Sequence, residues 1–194
     1  MNRTGSLARK TGETDIFVSL DLDGEGVSQV DTGIGFFDHM LSAVAKHGLM
    51  DLTVRVQGDL AVDGHHTVED TGIVLGAALA KALGDKKGIR RVGSCFLPMD
   101  ESLAFCALDI SGRPYLAFDA SFPAQMCGGY AAELTEEFFR AVSVSAGLTT
   151  HLKAEGRNTH HMIEALYKAF ARALRDAAAL DPRVKGVPST KGVL

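Results

Sequence analysis

Two copies of an HHxxE motif hold much of the metal-binding chemistry in this sequence. They are HHTVE at 65–69 and HHMIE at 160–164. On a helix, the first histidine and the glutamate of such a motif lie four residues apart and share a face, and the second histidine lies close to it. Each motif can therefore offer imidazole nitrogens and a carboxylate to one or two metal ions. One copy alone would more often be chance, whereas two copies within a longer repeat indicate a metal site.

Three further histidines are candidate ligands whose roles stay open at this level. His39 and His47 are spaced by about two helical turns. His39 fits either a ligand or a polar helix residue, and the neighbouring Asp38 could orient its ring. His151 lies in the alternating segment LTTHLKAEG and fits either a ligand or a half-exposed strand residue. The ligand types suit zinc, iron, nickel or manganese, with zinc the first choice from chemistry alone.

Several basic and hydroxyl residues could bind a phosphate. Guanidinium groups near glycine-marked turns and a Ser/Lys pair suit a phosphate, as does a lysine one helical turn after the second motif. Taken singly, each of these residues also fits a solvated surface. The candidates are Arg90, Arg113, Lys168, Ser189 and Lys191.

An internal repeat indicates the elements that position these residues. The segment 13–26 resembles 101–114, with Glu13 aligned to Glu101 and an Asp-x-x-Gly turn closing each copy. The repeat continues through GFFDHML and EFFRAV, then LTVRVQGD and LTTHLKAEG, and ends in two HHxxE helices. We therefore predict an α+β fold of internally duplicated halves, each running strand, strand, helix, strand, helix, with helices covering one face of each sheet. The halves span about 9–85 and 93–180 within one domain covering 1–194.

The bulk composition excludes several classes of protein. The 194 residues are 46% hydrophobic and 23% charged, with a net charge of −4 and scattered basic residues, so we expect no nucleic-acid binding. The N-terminus has no apolar core of a secretory signal, and the apolar stretch at 72–84 is too short to span a bilayer. Three unevenly spaced cysteines do not form a disulfide framework, which favours a reducing cytoplasm. The tail at 184–194 has the composition of a frayed terminus.

Many strings of this sequence, in order, resemble the imidazoleglycerol-phosphate dehydratase family. They cover about residues 9–194 and include ETDI, DTGIGFFDHML, HHTVEDTGI, GIRR, PMDE, LDISGRP, GRNTHHMIEALYKA and PSTKG. The resemblance is to the form without a fused histidinol-phosphatase domain. It implies a duplicated fold like domain 2 of ribosomal protein S5. It also implies trimers assembled into a 24-subunit shell with active sites between subunits, where the C-terminal tail closes a neighbour's site.

The resemblance also implies the roles of individual residues. His47 would lie in the substrate pocket, and Glu13 would bind the substrate and act as an acid/base residue. Catalytic roles would fall to Glu13, His65, Glu69 and Glu164. The substrate phosphate would meet Arg90, Arg113, Lys168, Ser189 and Lys191. The ligands of two Mn²⁺ ions would be His39, His65, His66, Glu69, His151, His160, His161 and Glu164.

The reaction implied by the resemblance is the dehydration of imidazole glycerol phosphate to imidazoleacetol phosphate in histidine biosynthesis. No carbonyl activates the carbon that must lose its proton, so a general base alone would face a high barrier. Two Lewis-acidic metals binding the ring as imidazolate would push electrons toward the departing hydroxyl. The diazafulvene-like product of that step has an acidic C–H, from which Glu13 could remove the proton.

Two other functions remain open at this level. A dimetal hydrolase acting on a phosphorylated or amide substrate shares the His/Glu cluster, and release of inorganic phosphate would distinguish it. A metal-storage or metal-stabilised assembly protein would bind metal without turnover, although it would need no phosphate-binding residues. The role of Asp100 is also open, as is that of Glu101, which is either a degenerate twin of Glu13 or an acid at the start of a strand.

Overall fold

The computed structural model describes residues 3–194 and has a mixed α+β architecture. Within that range, two four-stranded sheets and a short two-stranded sheet accompany four helices. Met1 and Asn2, at the start of the predicted domain range, lie outside the described residues. The α+β class predicted from the sequence is confirmed.

The first half builds one four-stranded sheet with the order β1-β2-β4-β3. The first three strands in that order are antiparallel, and β3 runs parallel to β4. Alternating apolar residues explain β2, in which Ile16, Val18 and Leu20 are buried on one face. The elements are β1 (Thr4–Lys10), β2 (Thr14–Asp21), β3 (Ser28–Asp31), α1 (Gly35–Gly48), β4 (Asp51–Gly58) and α2 (His65–Leu83).

The second half repeats this topology in a sheet with the order β5-β6-β10-β7. Here β7 is the strand parallel to its neighbour, as β3 is in the first half. A short hairpin of β8 and β9 is inserted before the helix that follows. The elements are β5 (Val92–Met99), β6 (Ser102–Asp109), β7 (Tyr115–Ala120), β8 (Met126–Cys127), β9 (Tyr130–Ala131), α3 (Leu134–Ala146), β10 (Thr149–Glu155) and α4 (Thr159–Ala178).

The predicted order of two strands before the first helix of each half was wrong: three precede α1, and three plus the β8–β9 hairpin precede α3. The first strand of each half, β1 and β5, escaped the sequence pattern for a physical reason. Each of these strands crosses beneath a helix at a glycine. A Cβ added to Gly5 would clash with the carbonyl oxygen of Ala78, and one added to Gly93 with that of Ala173. At these positions the inward face carries no side chain, so the apolar alternation that reveals a strand is interrupted.

Helices of the two halves pack together in one shared core. Helix α2 packs on β1, β2 and α3, while α4 packs on β5, β6 and α1. The buried apolar residues of both halves form one cluster. The joint between the halves is tied in as well, because Ile89 is buried and forms a β-bridge with Leu180. The pairing of α1 with α4 brings residues of the first half beside the second HHxxE motif.

The face of the second sheet that points away from the helices is exposed. In β10, Thr150, Leu152 and Ala154 are buried against the helices, while the alternate residues point outward. This outer face also carries apolar side chains, with Phe96 70% and Tyr115 62% exposed. Among residues 3–194, no helix combines the length and apolarity that a membrane crossing requires.

Candidate metal centre

His39, His160 and Glu164 form a compact group of potential ligands. One ligand atom of each lies within 4.8 Å of the others. Glu164 Oε2 is 3.3 Å from His39 Nε2 and 3.1 Å from His160 Nε2. His39 comes from α1, and the other two lie one turn apart on α4, so the packing of α1 on α4 creates the group. Two imidazoles and a carboxylate suit a divalent transition metal and leave coordination positions open.

Lys168 lies directly beside this group. Its Nζ is 2.6 Å from Oε1 of Glu164, the oxygen that does not face the two histidines. Burial alone would raise the pKa of Glu164, but the hydrogen bond and charge of Lys168, with a contribution from His39, lower this pKa below its ordinary value. Glu164 is therefore held ionised, as a metal ligand requires.

His47 lies in the last turn of α1, where charged residues of α4 influence it. Partial burial lowers the pKa of His47, and the nearby charges of Lys168 and Arg172 lower it further. His47 therefore lies within the electrostatic influence of Lys168 and Arg172, on the two helices that also carry the metal group. The sequence reasoning did not single out Arg172, although its position one helical turn after Lys168 puts it on the same face of α4.

The first HHxxE motif forms a separate group at the start of α2. His65 Nε2 is 3.8 Å from Glu69 Oε2, and both side chains are more than 40% exposed. The backbone N–H of His65 donates to Asp63 at 2.8 Å, which satisfies one free donor of the helix start. Within residues 3–194 only the His39 group brings three potential ligands together, so one chain does not assemble both motifs into a single centre.

His66 lies between two carboxylates. Its Nδ1 is 2.9 Å from Asp59 Oδ2, and its Nε2 is 3.7 Å from Glu13 Oε1. The hydrogen bond to Asp59 is the main reason why the pKa of His66 is raised. The sequence reasoning missed Asp59, which follows β4 seven residues before His66 and carried no signal beyond its acidic type. Glu13 lies in the turn between β1 and β2, with its side chain 55% exposed.

His161 is bonded to Glu101, whose role the sequence left open. The distance from His161 Nδ1 to Glu101 Oε2 is 2.9 Å. Oε1 of Glu101 accepts from Ser102 Oγ at 2.9 Å, from Asn158 N at 2.9 Å and from Arg157 N at 3.3 Å. With the bond to His161 as the main cause, the pKa of Glu101 falls to about 2, and the pKa of His161 is raised in turn.

The structure of one chain differs from two expectations: that His151 lies with the other metal ligands and that Asp38 orients His39. His151 points outward from β10, on the face of the sheet opposite to the helices, and its ring lies 6.4 Å from that of Tyr115. The sheet therefore separates it from the HHxxE helices of its own chain. Asp38 does not orient His39, because its Oδ1 accepts hydrogen bonds from the backbone N–H and hydroxyl of Thr32.

Most of the candidate phosphate-binding residues lie along the C-terminal tail and the turns beneath it. The tail is not frayed: the N–H of Gly88 donates to Gly186 O, and Arg91 Nη1 donates to Pro188 O. Its last residue lies against Gly112, where an added Cβ would be 2.7 Å from the carbonyl carbon of Leu194. The residues held in this region are Arg90, Arg113, Ser189 and Lys191, whereas Lys168 lies apart from them, on Glu164.

Comparison with known proteins gives one consistent result. The family model described as imidazoleglycerol-phosphate dehydratase matches residues 32–174. The dehydratase of Symbiobacterium thermophilum is 65% identical over 99% of this chain and 93% of its own length, and that of Acetivibrio thermocellus is 60% identical over the full length of both. The crystal structure of the Staphylococcus aureus dehydratase has a TM-score of 0.84 at 43% identity, over 92% of this chain and 99% of its own. The Pyrococcus furiosus structure, in complex with (S)-C348, has a TM-score of 0.84 at 35% identity, over 97% and 100%.

Proposed function

Because this chain belongs to the imidazoleglycerol-phosphate dehydratase family, and so is a hydro-lyase of histidine biosynthesis, we propose that it removes water from imidazole glycerol phosphate at a site holding two Mn²⁺ ions. The observation that carries the metal part is the convergence of His39, His160 and Glu164. The product would be imidazoleacetol phosphate, formed in the cytoplasm. Free cysteines at positions 95, 106 and 127 suit such a reducing compartment.

The side chains present fit a divalent metal. Glu164 is ionised, is hydrogen-bonded by Lys168 through one oxygen and turns the other toward two histidines. His65 and Glu69 of the first motif form the second candidate ligand pair, at the solvent-exposed start of α2. When bound, the metals would supply Lewis acidity to the imidazole and the departing hydroxyl of the substrate. Histidine ligands with carboxylates do not distinguish Mn²⁺ from Zn²⁺, so the choice of manganese comes from the family.

We place the complete site between copies of the chain. His151 lies on the outer face of its sheet and His160 on a helix covering the inner face, so a site that uses both needs His151 from a second copy. The exposed apolar side chains on the same outer face, including Phe96 and Tyr115, would be covered by such an association. This supports a large homo-oligomer, for which the family implies 24 subunits built from trimers.

The substrate's phosphate would be bound by basic and hydroxyl groups at the C-terminal tail, together with Lys168 beside the metal ligands. Arg90 and Arg113 lie on turns beneath the tail that carries Ser189 and Lys191. Guanidinium and ammonium groups with a hydroxyl match a phosphate. Lys168 and His47 would reach the substrate from the side of Glu164. Binding by the tail would give the C-terminus a function in the site.

Glu13 is the acid/base residue in this proposal. It is half-exposed at a turn and faces Nε2 of His66 at 3.7 Å, so its carboxylate lies at the edge of the first metal-ligand group without being enclosed by hydrogen bonds. A carboxylate with that freedom can accept a proton from the substrate carbon and return it at the next step. The neighbouring His65 and Glu69 would hold the ring of the substrate close to it through the metal.

A turnover assay with imidazole glycerol phosphate tests the function directly. Protein stripped by a chelator would be assayed before and after addition of Mn²⁺, with the ketone product followed optically. We expect activity to vanish on stripping and to return with Mn²⁺. Bound metal without any ketone product would refute the dehydratase proposal, and release of inorganic phosphate in that case would indicate a metal-dependent hydrolase.

A further inference from the structure

We infer that Glu101 is a positioning residue that fixes the tautomer of His161, so that Nδ1 carries the ring proton and Nε2 is the nitrogen offered to a metal. The inference deepens the proposed function, on which it rests only for the assignment of His161 as a ligand. A neutral imidazole has one donor and one acceptor nitrogen, and the hydrogen bond made by one nitrogen decides which atom the other presents.

The surroundings of Glu101 leave one oxygen for this task. Oε1 is occupied by three donors: the hydroxyl of Ser102 and the backbone N–H groups of Arg157 and Asn158. Oε2 faces His161 Nδ1 at 2.9 Å and, as a carboxylate oxygen, can only accept. Nδ1 must then donate. Among residues 3–194, the one polar group near Nε2 of His161 is Asp100 Oδ2, at 3.9 Å on a side chain that is 80% exposed, so Nε2 stays open.

The first half reaches the same arrangement with a different residue. His66 is the repeat partner of His161, and its Nδ1 is also tied to a carboxylate oxygen, from Asp59 at 2.9 Å. The repeat partner of Glu101 is Glu13, whose carboxylate, among residues 3–194, approaches only Nε2 of His66, at 3.7 Å. Two equivalent glutamates thus have different tasks: Glu101 orients a histidine, and Glu13 is left free for proton transfer. In both halves a carboxylate binds Nδ1 of the second motif histidine, although the two carboxylates come from different positions of the repeat. This is the pattern expected if orienting that histidine is a function.

A single substitution should reverse the tautomer. In Glu101→Gln the amide oxygen is held at the Oε1 position, because the three donors there need an acceptor. The amide NH₂ then faces His161 Nδ1 and can only donate to it. The ring proton must move to Nε2, which can no longer ligate a metal. The side chain keeps its size and its contacts to Ser102 and the start of α4.

The experiment measures the tautomer and the metal affinity separately. Solid-state ¹⁵N NMR of histidine-labelled, metal-free protein, at a pH above the histidine pKa values, reports which ring nitrogen carries the proton. The His161 signal is identified by its loss in His161→Gln. Equilibrium dialysis against Mn²⁺ gives the affinity. The matched control is Glu25→Gln, the same chemical change at an exposed residue in the loop between β2 and β3.

We expect the Nδ1–H form of His161 in the wild type and in the control, and the Nε2–H form in Glu101→Gln. The affinity for Mn²⁺ should fall about 10–100-fold in that variant alone, the usual effect of losing a residue that orients a ligand. An Nε2–H form in the wild type would overturn the inference even if the variant failed to fold, as would an unchanged tautomer or affinity in a folded Glu101→Gln protein. Wild-type turnover is a separate measurement. An active wild type, together with an unchanged tautomer and Mn²⁺ affinity in Glu101→Gln, would refute the inference but not the function. An inactive wild type with the expected tautomers would refute the function but not the inference.

Discussion

Glu13 and Glu101 occupy equivalent turns in the two halves, yet their carboxylates have different surroundings. Glu101 is enclosed by three hydrogen-bond donors and His161, whereas Glu13 is half-exposed and only approaches His66. A proton-transfer group needs access to the substrate, and an orienting group needs fixed partners. At the scale of single residues, local hydrogen bonding therefore decides which of two identical side chains can take which role.

The pair of Glu101 and His161 predicts a pH window for the stability of the metal-free protein. Glu101 has its folded pKa lowered from 4.5 to about 2, so its contribution is present above 4.5 and is lost as the pH falls toward 2. His161 has its folded pKa raised above 6.5, so its contribution is present below 6.5 and is lost as the pH rises through the raised value. The interaction should therefore stabilise the fold most between pH 4.5 and 6.5.

The measurement is the melting temperature of the metal-free wild type and of Glu101→Gln across that range. The wild type should exceed the variant most inside the window, with the difference shrinking on both sides. A difference that does not change with pH would show that the two side chains do not stabilise each other through charge. Glu25→Gln again serves as the control and should show no such window.

At the scale of elements, the first strand of each half determines how closely a helix can lie on its sheet. Gly5 in β1 and Gly93 in β5 stand at matching positions of the repeat, and each passes directly under a helix carbonyl oxygen. The helices concerned, α2 and α4, are the two that begin with the HHxxE motifs. The distance between each helix and its sheet thus depends on a glycine. That distance in turn determines where the histidines of the motif lie.

Gly93→Ala should destabilise the protein by overpacking. The added methyl group would meet the carbonyl oxygen of Ala173 and the backbone of Ala177, neither of which can move without shifting α4. We expect a loss of about 1–3 kcal/mol in the free energy of unfolding, measured by urea denaturation. Gly129→Ala, where nothing lies within 4 Å of the added group, is the matched control. An unchanged unfolding midpoint for Gly93→Ala would mean that α4 is not seated on β5 as described.

At the scale of the whole molecule, His151 is separated from the other candidate ligands of its own chain. The second sheet lies between His151, on its outer face, and α4, on its inner face. A site that needs both His151 and His160 can only be completed by two copies. Homo-oligomers commonly build sites across their interfaces in this way, because symmetry repeats each shared contact in every copy.

Mixing two inactive variants tests this arrangement. His151→Ala and His160→Ala should each be inactive alone. When the two chains are co-expressed in mixed oligomers, sites with both histidines re-form where the His160→Ala chain supplies His151 and the other chain supplies His160. Random mixing would restore about a quarter of the sites, as expected for a site shared by two symmetric copies. Mixed oligomers that stay inactive, while each variant still assembles, would show that both histidines must come from the same chain.

The sequence by itself determined the chemistry and the broad architecture of this protein. Ligand types, the two HHxxE helices and the duplicated order of elements depend on local spacing and periodicity, which can be read along the chain. Family membership follows from the same motifs. The strands at Gly5 and Gly93 were not visible, because a glycine placed for close helix contact removes the apolar signal of a strand.

Only the tertiary structure decided how the candidate site is divided. It brought His39 to Glu164 across two helices, gave Asp59 and Glu101 to the second histidine of each motif, and turned His151 to the far face of its sheet. These facts depend on loop conformation, on strand register and on the packing of helices far apart in sequence. A hydrogen bond forms only where donor and acceptor meet at the right distance and angle. The residue types alone do not reveal which residues, dozens of positions apart, will meet in this way.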